Sequence, residues 1–119
     1  MINLLFLLAN AFASDVYEVC VLENQVWSDT KQLWNTELVT TFYSYQPIQF
    51  IVHDSSIEIN RVKKHIESKE VIDGMPCYRE HKNSFVCYDE GKDEFLWEFH
   101  YRNGRVPRDV LKVCGKNGE

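Results

Sequence analysis

Glycine is scarce in this chain, with five residues in 119. None of them builds the glycine-rich loop that cradles phosphate, so nucleotide-binding loops of that kind are excluded. A Gly-x-Ser-x-Gly elbow is also missing, which closes that route to a serine nucleophile. The four histidines, His53, His65, His81 and His100, show neither the His-x-His nor the His-Glu-x-x-His spacing that puts two imidazoles on one metal. No Cys-x-x-Cys occurs, and no histidine stands at ligand spacing from a cysteine, so a zinc site has no framework. No motif implies a cofactor. Cationic excess is missing too: the net charge is −5, and the basic residues are scattered, with Arg61, Lys63 and Lys64 the tightest group. Phosphate backbones are bound by clustered Lys and Arg, so nucleic acid is excluded as a partner. Repeats and low-complexity tracts are absent, and nothing marks a second domain.

What the chain does have is apolar and aromatic content. Hydrophobic residues make up 45% and charged residues 26%, ordinary for a globular domain and too apolar for a disordered one. Three Trp, six Tyr and seven Phe supply large pieces of buriable surface.

Residues 1–13 carry no charged side chain and an apolar run through Leu8 and Ala9. Ala11-Phe12-Ala13 is a small-x-small cleavage site, and Ser14-Asp15 opens a polar stretch. The run is too short to span a bilayer, which takes about 20 apolar residues. The pattern predicts a cleavable signal peptide over residues 1–13, although the basic n-region is missing. Residues 14–119 then form a single β-rich domain, secreted or periplasmic, with no transmembrane segment after cleavage.

Four cysteines remain: Cys20, Cys77, Cys87 and Cys114. An even count in an exported chain predicts two disulfides. Three pairings are available. The local pattern favours Cys77–Cys87, which flank the polar stretch 80–84 like the two arms of a hairpin. Cys20–Cys114 would then tie the first strand to the last.

Strand signals recur at even spacing. Residues 16–22 and 38–45 are rich in β-branched and aromatic residues. Residues 48–53 and 57–60 read as a hairpin about Asp54-Ser55. Asp73-Gly74 is a strong hairpin turn. Residues 75–79, 85–89, 94–101 and 110–114 complete the set. Residues 23–34 are polar and read as a loop or a short helix. Residues 60–69 read as a short helix capped by Asn60, with a charged strand or loop fitting almost as well. The fold class is mainly all-β, an antiparallel meander closed as a barrel or folded as a sandwich, with room for one short helix.

Candidate site residues follow from this map. Trp27 and Trp34 fall in the segment between the first two strands, where a loop would expose them as interface anchors. Arg102 and Arg105 flank the Asn103-Gly104 turn. Tyr43 and Tyr45 share a strand face. Glu94, Glu98 and His100 also share one, since alternate side chains point the same way. A carboxylate beside an imidazole can move protons, but charged residues are normal on a solvated face, and no catalytic residue is assigned.

Tyr17-x-x-Cys20, Phe85-x-Cys87-x-Asp89 and Cys114-Gly115-Lys116 resemble, in outline, small exported bacterial and phage-associated proteins of unassigned function. More faintly, the set is similar to the small β-barrel inhibitors of c-type lysozyme. The Ser- and Lys-bearing inhibitory loops of that family are not found here, so no functional residue is carried over. The resemblance implies an exported β-barrel. Taken together, the expectation is a non-enzymatic binding protein that engages a protein or envelope component, with a barrel-type small-ligand carrier and a small hydrolase as alternatives.

Overall fold

The structure is a computed structural model that describes residues 15–42, 47–81 and 83–116. The expected signal peptide at 1–13 and the pair Tyr43 and Tyr45 lie outside the described residues. The described residues form ten strands and no helix: β1 (Asp15–Ser28), β2 (Leu33–Thr41), β3 (Ile48–Val52), β4 (Ser56–Ile59), β5 (Val62–His65), β6 (Ser68–Ile72), β7 (Met75–His81), β8 (Ser84–Asp89), β9 (Glu94–Phe99) and β10 (Pro107–Lys116). The protein is thus all-β, and both disulfides form, Cys20–Cys114 and Cys77–Cys87.

All ten belong to one antiparallel sheet, in the order β5-β4-β3-β1-β10-β9-β8-β7-β6. β1 organises it. Its first half pairs with β3, its second half pairs with β2, and β10 runs along its other side. From this axis one meander runs out through β3, β4 and β5, and another through β10 back to β6. The two end strands, β5 and β6, are consecutive in the chain. The link between them is tied to both arms, since Ile66 N–H donates to Ser55 O at 2.9 Å and Glu67 N–H donates to Arg79 O at 2.7 Å. No ladder joins β5 to β6 among the described residues. The sheet is therefore a curled half-barrel pinched at one corner.

The curl encloses Tyr17, Val19, Phe50, Ile57, Ile66, Val86, Phe95, Trp97 and Leu111. Phe50 stacks on Phe95 with centroids 4.2 Å apart, and Tyr17 meets Phe95 edge-on at 4.8 Å. Full burial of such a side chain contributes about 1.5–3 kcal/mol. β1 keeps Tyr17 and Val19 inward, then the register slips at Cys20 and Leu22 becomes the inward residue. A one-residue bulge reverses the faces in this way. Cys20 and Cys114 are the two residues skipped in the β1–β10 register, so their disulfide joins the two bulges.

Both segments left open between helix and other structure resolve as strand. Residues 23–28 continue β1, so Trp27 sits in a strand rather than a loop, and only residues 29–32 turn. A neighbour on each side of β1 supplies backbone partners that an isolated helix could not match. Asn60 does not cap a helix. Asn60 (φ 47°) and Arg61 (φ 71°) form the two-residue turn between β4 and β5, and the chain then enters β6. Two positive φ values in succession match a type I′ hairpin turn. Asp73 (φ 52°) and Gly74 (φ 79°) make the same turn between β6 and β7, as their sequence predicts.

Candidate functional site

The sheet has a second populated face, opposite the core. Register places Gln25 beside Arg108, Arg108 beside Glu98, Glu98 beside Phe85, and Phe85 beside Arg79. These side chains form a row across five strands. A parallel row holds Val110, Leu96, Cys87 and Cys77. Val110, Cys87 and Cys77 are almost fully buried, so this outer face carries a small apolar centre of its own.

Trp27 and Trp34 stand directly opposite each other at the end of the β1–β2 hairpin. Their rings meet edge-to-face with centroids 5.4 Å apart. The turn that follows is held locally: Trp27 Nε1–H donates to Asp29 Oδ1 at 2.8 Å, and Lys31 N–H donates to Ser28 Oγ at 3.2 Å. Arg108 reaches across β1 from the other side and places its guanidinium 4.0 Å from the Trp34 centroid. Its Nε–H donates to Gln25 Oε1 at 2.8 Å. Burial lowers the Arg108 pKa, against the opposing pull of Glu98, Glu94 and Glu23.

Between Trp34 and the β6–β7 turn lies a cleft of about 160 Å³, walled by Ile72, Met75, Phe85 and Leu96, with Arg108, Glu98 and Asp73 among its lining groups. On its other side, Trp27, Trp34, Glu98 and His100 line a more open depression. Glu98 pairs with His100 at 3.4 Å, and the His100 ring stacks on Phe85 with centroids 5.8 Å apart. The row ends where Arg79 Nε–H donates to Glu70 Oε2 at 2.6 Å. That hydrogen bond holds the Glu70 carboxyl below its usual range and raises Arg79.

Among the described residues β2 pairs only with β1, and it exposes Leu33, Leu38 and Val39. In nine residues it carries one charge, Glu37, which is the residue skipped where the β1–β2 register slips. Glu37 meets Arg105 at 3.5 Å. Arg102, three residues earlier, lines a different place: the mouth of the inner trough, with Lys64, His65 and Glu80.

The inner trough is the concave side of the half-barrel. Leu22, Ile48, Ile59, Trp97, Phe99 and Leu111 line a space of about 380 Å³. At its edge Lys64 bridges to Glu80 at 3.1 Å and lies 5.5 Å from the Trp97 centroid. Asp109 also lines it, and burial raises its pKa while the Asn24 amide, donating at 2.7 Å, pulls it down.

The structure thus brings Trp27 and Trp34 together, as strand residues instead of loop residues. It also joins Glu98 to His100, while Arg105 pairs with Glu37 and Arg102 lines the trough mouth. Arg108 and Gln25 were not singled out in the sequence. The signal for them is register: they share a face with Trp27 only once β1, β2 and β10 are aligned. No family model, no curated protein and no solved structure matches the chain.

Proposed function

We propose that the protein is a small exported, non-enzymatic binding protein, secreted or periplasmic, that engages a protein or cell-envelope component through the β1–β2 hairpin. The observation that carries this reading is the Trp27–Trp34 pair at the end of a hairpin whose edge strand exposes Leu33, Leu38 and Val39. Aromatic anchors with adjacent exposed apolar residues are the usual composition of a binding surface. The contrast with the other free edges supports it. β5 carries Lys63, Lys64 and His65, and β6 carries Lys69 and Glu70, charges that discourage strand-to-strand pairing. β2 carries a single charge, Glu37, in nine residues. Two disulfides agree with an oxidising compartment.

The test is capture from an extract of the native source by wild type and by the Trp27→Ala/Trp34→Ala variant. A captured component that disappears with the variant, while circular dichroism and melting stay native-like, supports the reading. Capture that survives the double substitution rejects it.

The inner trough favours a second reading, a carrier for a small apolar ligand. Native mass spectrometry of freshly purified protein decides it, because a carrier retains excess mass that organic extraction removes.

A further inference from the structure

The outer cleft beside Trp34 has a property that the hairpin reading does not use. Arg108 and Glu98 are directly opposed across β10 and β9, and both line the cleft. They nevertheless form no ion pair with each other. Glu98 turns to His100. Among the described residues Arg108 has no carboxylate ion pair, and it is fixed by Gln25 on one edge and Trp34 on one face. A half-buried guanidinium that is held in place, with carboxylates near it but none in direct ion-pair contact among the described residues, is a preorganised receptor for a carboxylate.

We propose that this cleft binds a free α-amino acid with an apolar side chain, taking its carboxylate on Arg108 and its ammonium on Glu98. The apolar side chain enters between Ile72, Met75, Phe85 and Leu96. Charge selects the zwitterion. A simple anion faces Glu98 and Asp73, and a simple cation faces Arg108, so each meets repulsion that a molecule with both charges avoids. Size agrees, because a cleft of about 160 Å³ suits a molecule the size of one amino acid.

The inference goes beyond the hairpin reading and fails separately from it, since it is tested on purified protein without any protein partner. Isothermal titration with L-leucine is compared with N-acetyl-leucine, which lacks the ammonium, and with leucinamide, which lacks the carboxylate. Leucine is expected to bind at least tenfold more tightly than either. Arg108→Gln is expected to reduce leucine affinity at least tenfold. Because Arg108 also packs on Trp34, Glu98→Gln is the second variant. It weakens leucine and tightens N-acetyl-leucine, because the carboxylate that repels a simple anion is gone. No leucine binding at low-millimolar concentration overturns the proposal. Equal affinity for leucine and N-acetyl-leucine overturns it too, by assigning the cleft to peptide carboxyl termini instead.

Discussion

Arg108 on β10 stacks over the ring of Trp34 on β2 at 4.0 Å, although these strands share no ladder and lie on opposite sides of β1. The contact fastens the hairpin to the sheet across its central strand. An exposed cation–π pair contributes about 0.5–1 kcal/mol and a desolvated one about 2 kcal/mol. A double-mutant cycle of Arg108→Gln and Trp34→Leu in urea unfolding should therefore return a coupling energy of roughly 0.5–2 kcal/mol. Strict additivity would show that the stack does not hold the hairpin.

Arg61 occupies a left-handed conformation with φ 71° as the second residue of the Asn60-Arg61 turn. For a residue with a Cβ this conformation is unfavourable by roughly 1–2 kcal/mol. Glycine adopts it freely, and Asn-Gly is the preferred pair for this turn. Arg61→Gly should raise stability by up to about 1 kcal/mol once glycine's greater unfolded-state freedom is subtracted, seen as a higher urea midpoint at constant m-value. A lower midpoint would mean that the Arg61 side chain makes a contribution larger than the strain it causes.

This turn also shows what the sequence conceals. Asp73-Gly74 was legible because glycine announces a positive φ. Asn60-Arg61 performs the same task without glycine, so the stretch read as a capped helix, with a strand or loop fitting almost as well. The spacing of apolar and aromatic residues disclosed the all-β class, and the Cys77–Cys87 bridge followed from two strands facing across a tip. The extension of β1 to Ser28 was hidden because residues 23–28 are mostly polar and owe their strand conformation to β2 and β10, which no local pattern reports. The bulge at Cys20 hid the outer face in turn. It reverses inward and outward positions partway along β1, so Gln25 and Trp27 could not be grouped with Arg108 by alternation alone.

The two disulfides differ in access. Cys77 and Cys87 are 1% and 3% exposed, whereas Cys114 is exposed at the sheet surface. Thiol–disulfide exchange requires attack on an accessible sulfur. Graded reduction followed by alkylation and peptide mass mapping should therefore open Cys20–Cys114 first. Their effects on stability run the other way round from their protection. The bridge at separation 94 closes a long loop and the one at separation 10 a short loop. By the chain-entropy argument these are worth about 4.7 and about 2.7 kcal/mol. The Cys20→Ala/Cys114→Ala variant should accordingly lower the melting temperature more than Cys77→Ala/Cys87→Ala. The reverse order would locate the larger contribution in the packing of the buried bridge.

Asp109 provides a test that depends on pH. Burial raises its carboxyl pKa, and the Asn24 hydrogen bond at 2.7 Å reduces the rise without cancelling it. A raised acid means that the folded protein holds this proton more tightly than the unfolded chain does. Stability from this group is therefore greatest below the ordinary Asp value of about 3.9. It is lost as pH climbs through the raised folded value, and the full penalty of the buried charge is present at neutral pH. Asp109→Asn keeps a similar shape, retains a partner for Asn24 and carries no charge at any pH. It should melt at a higher temperature than the wild type at neutral pH, with the advantage shrinking as the pH falls toward about 3.9. Melting curves across that range distinguish the causes. A constant difference at all pH values would assign the effect to packing, and a wild type that is the more stable at neutral pH would show that the Asn24–Asp109 hydrogen bond outweighs the cost of the buried charge.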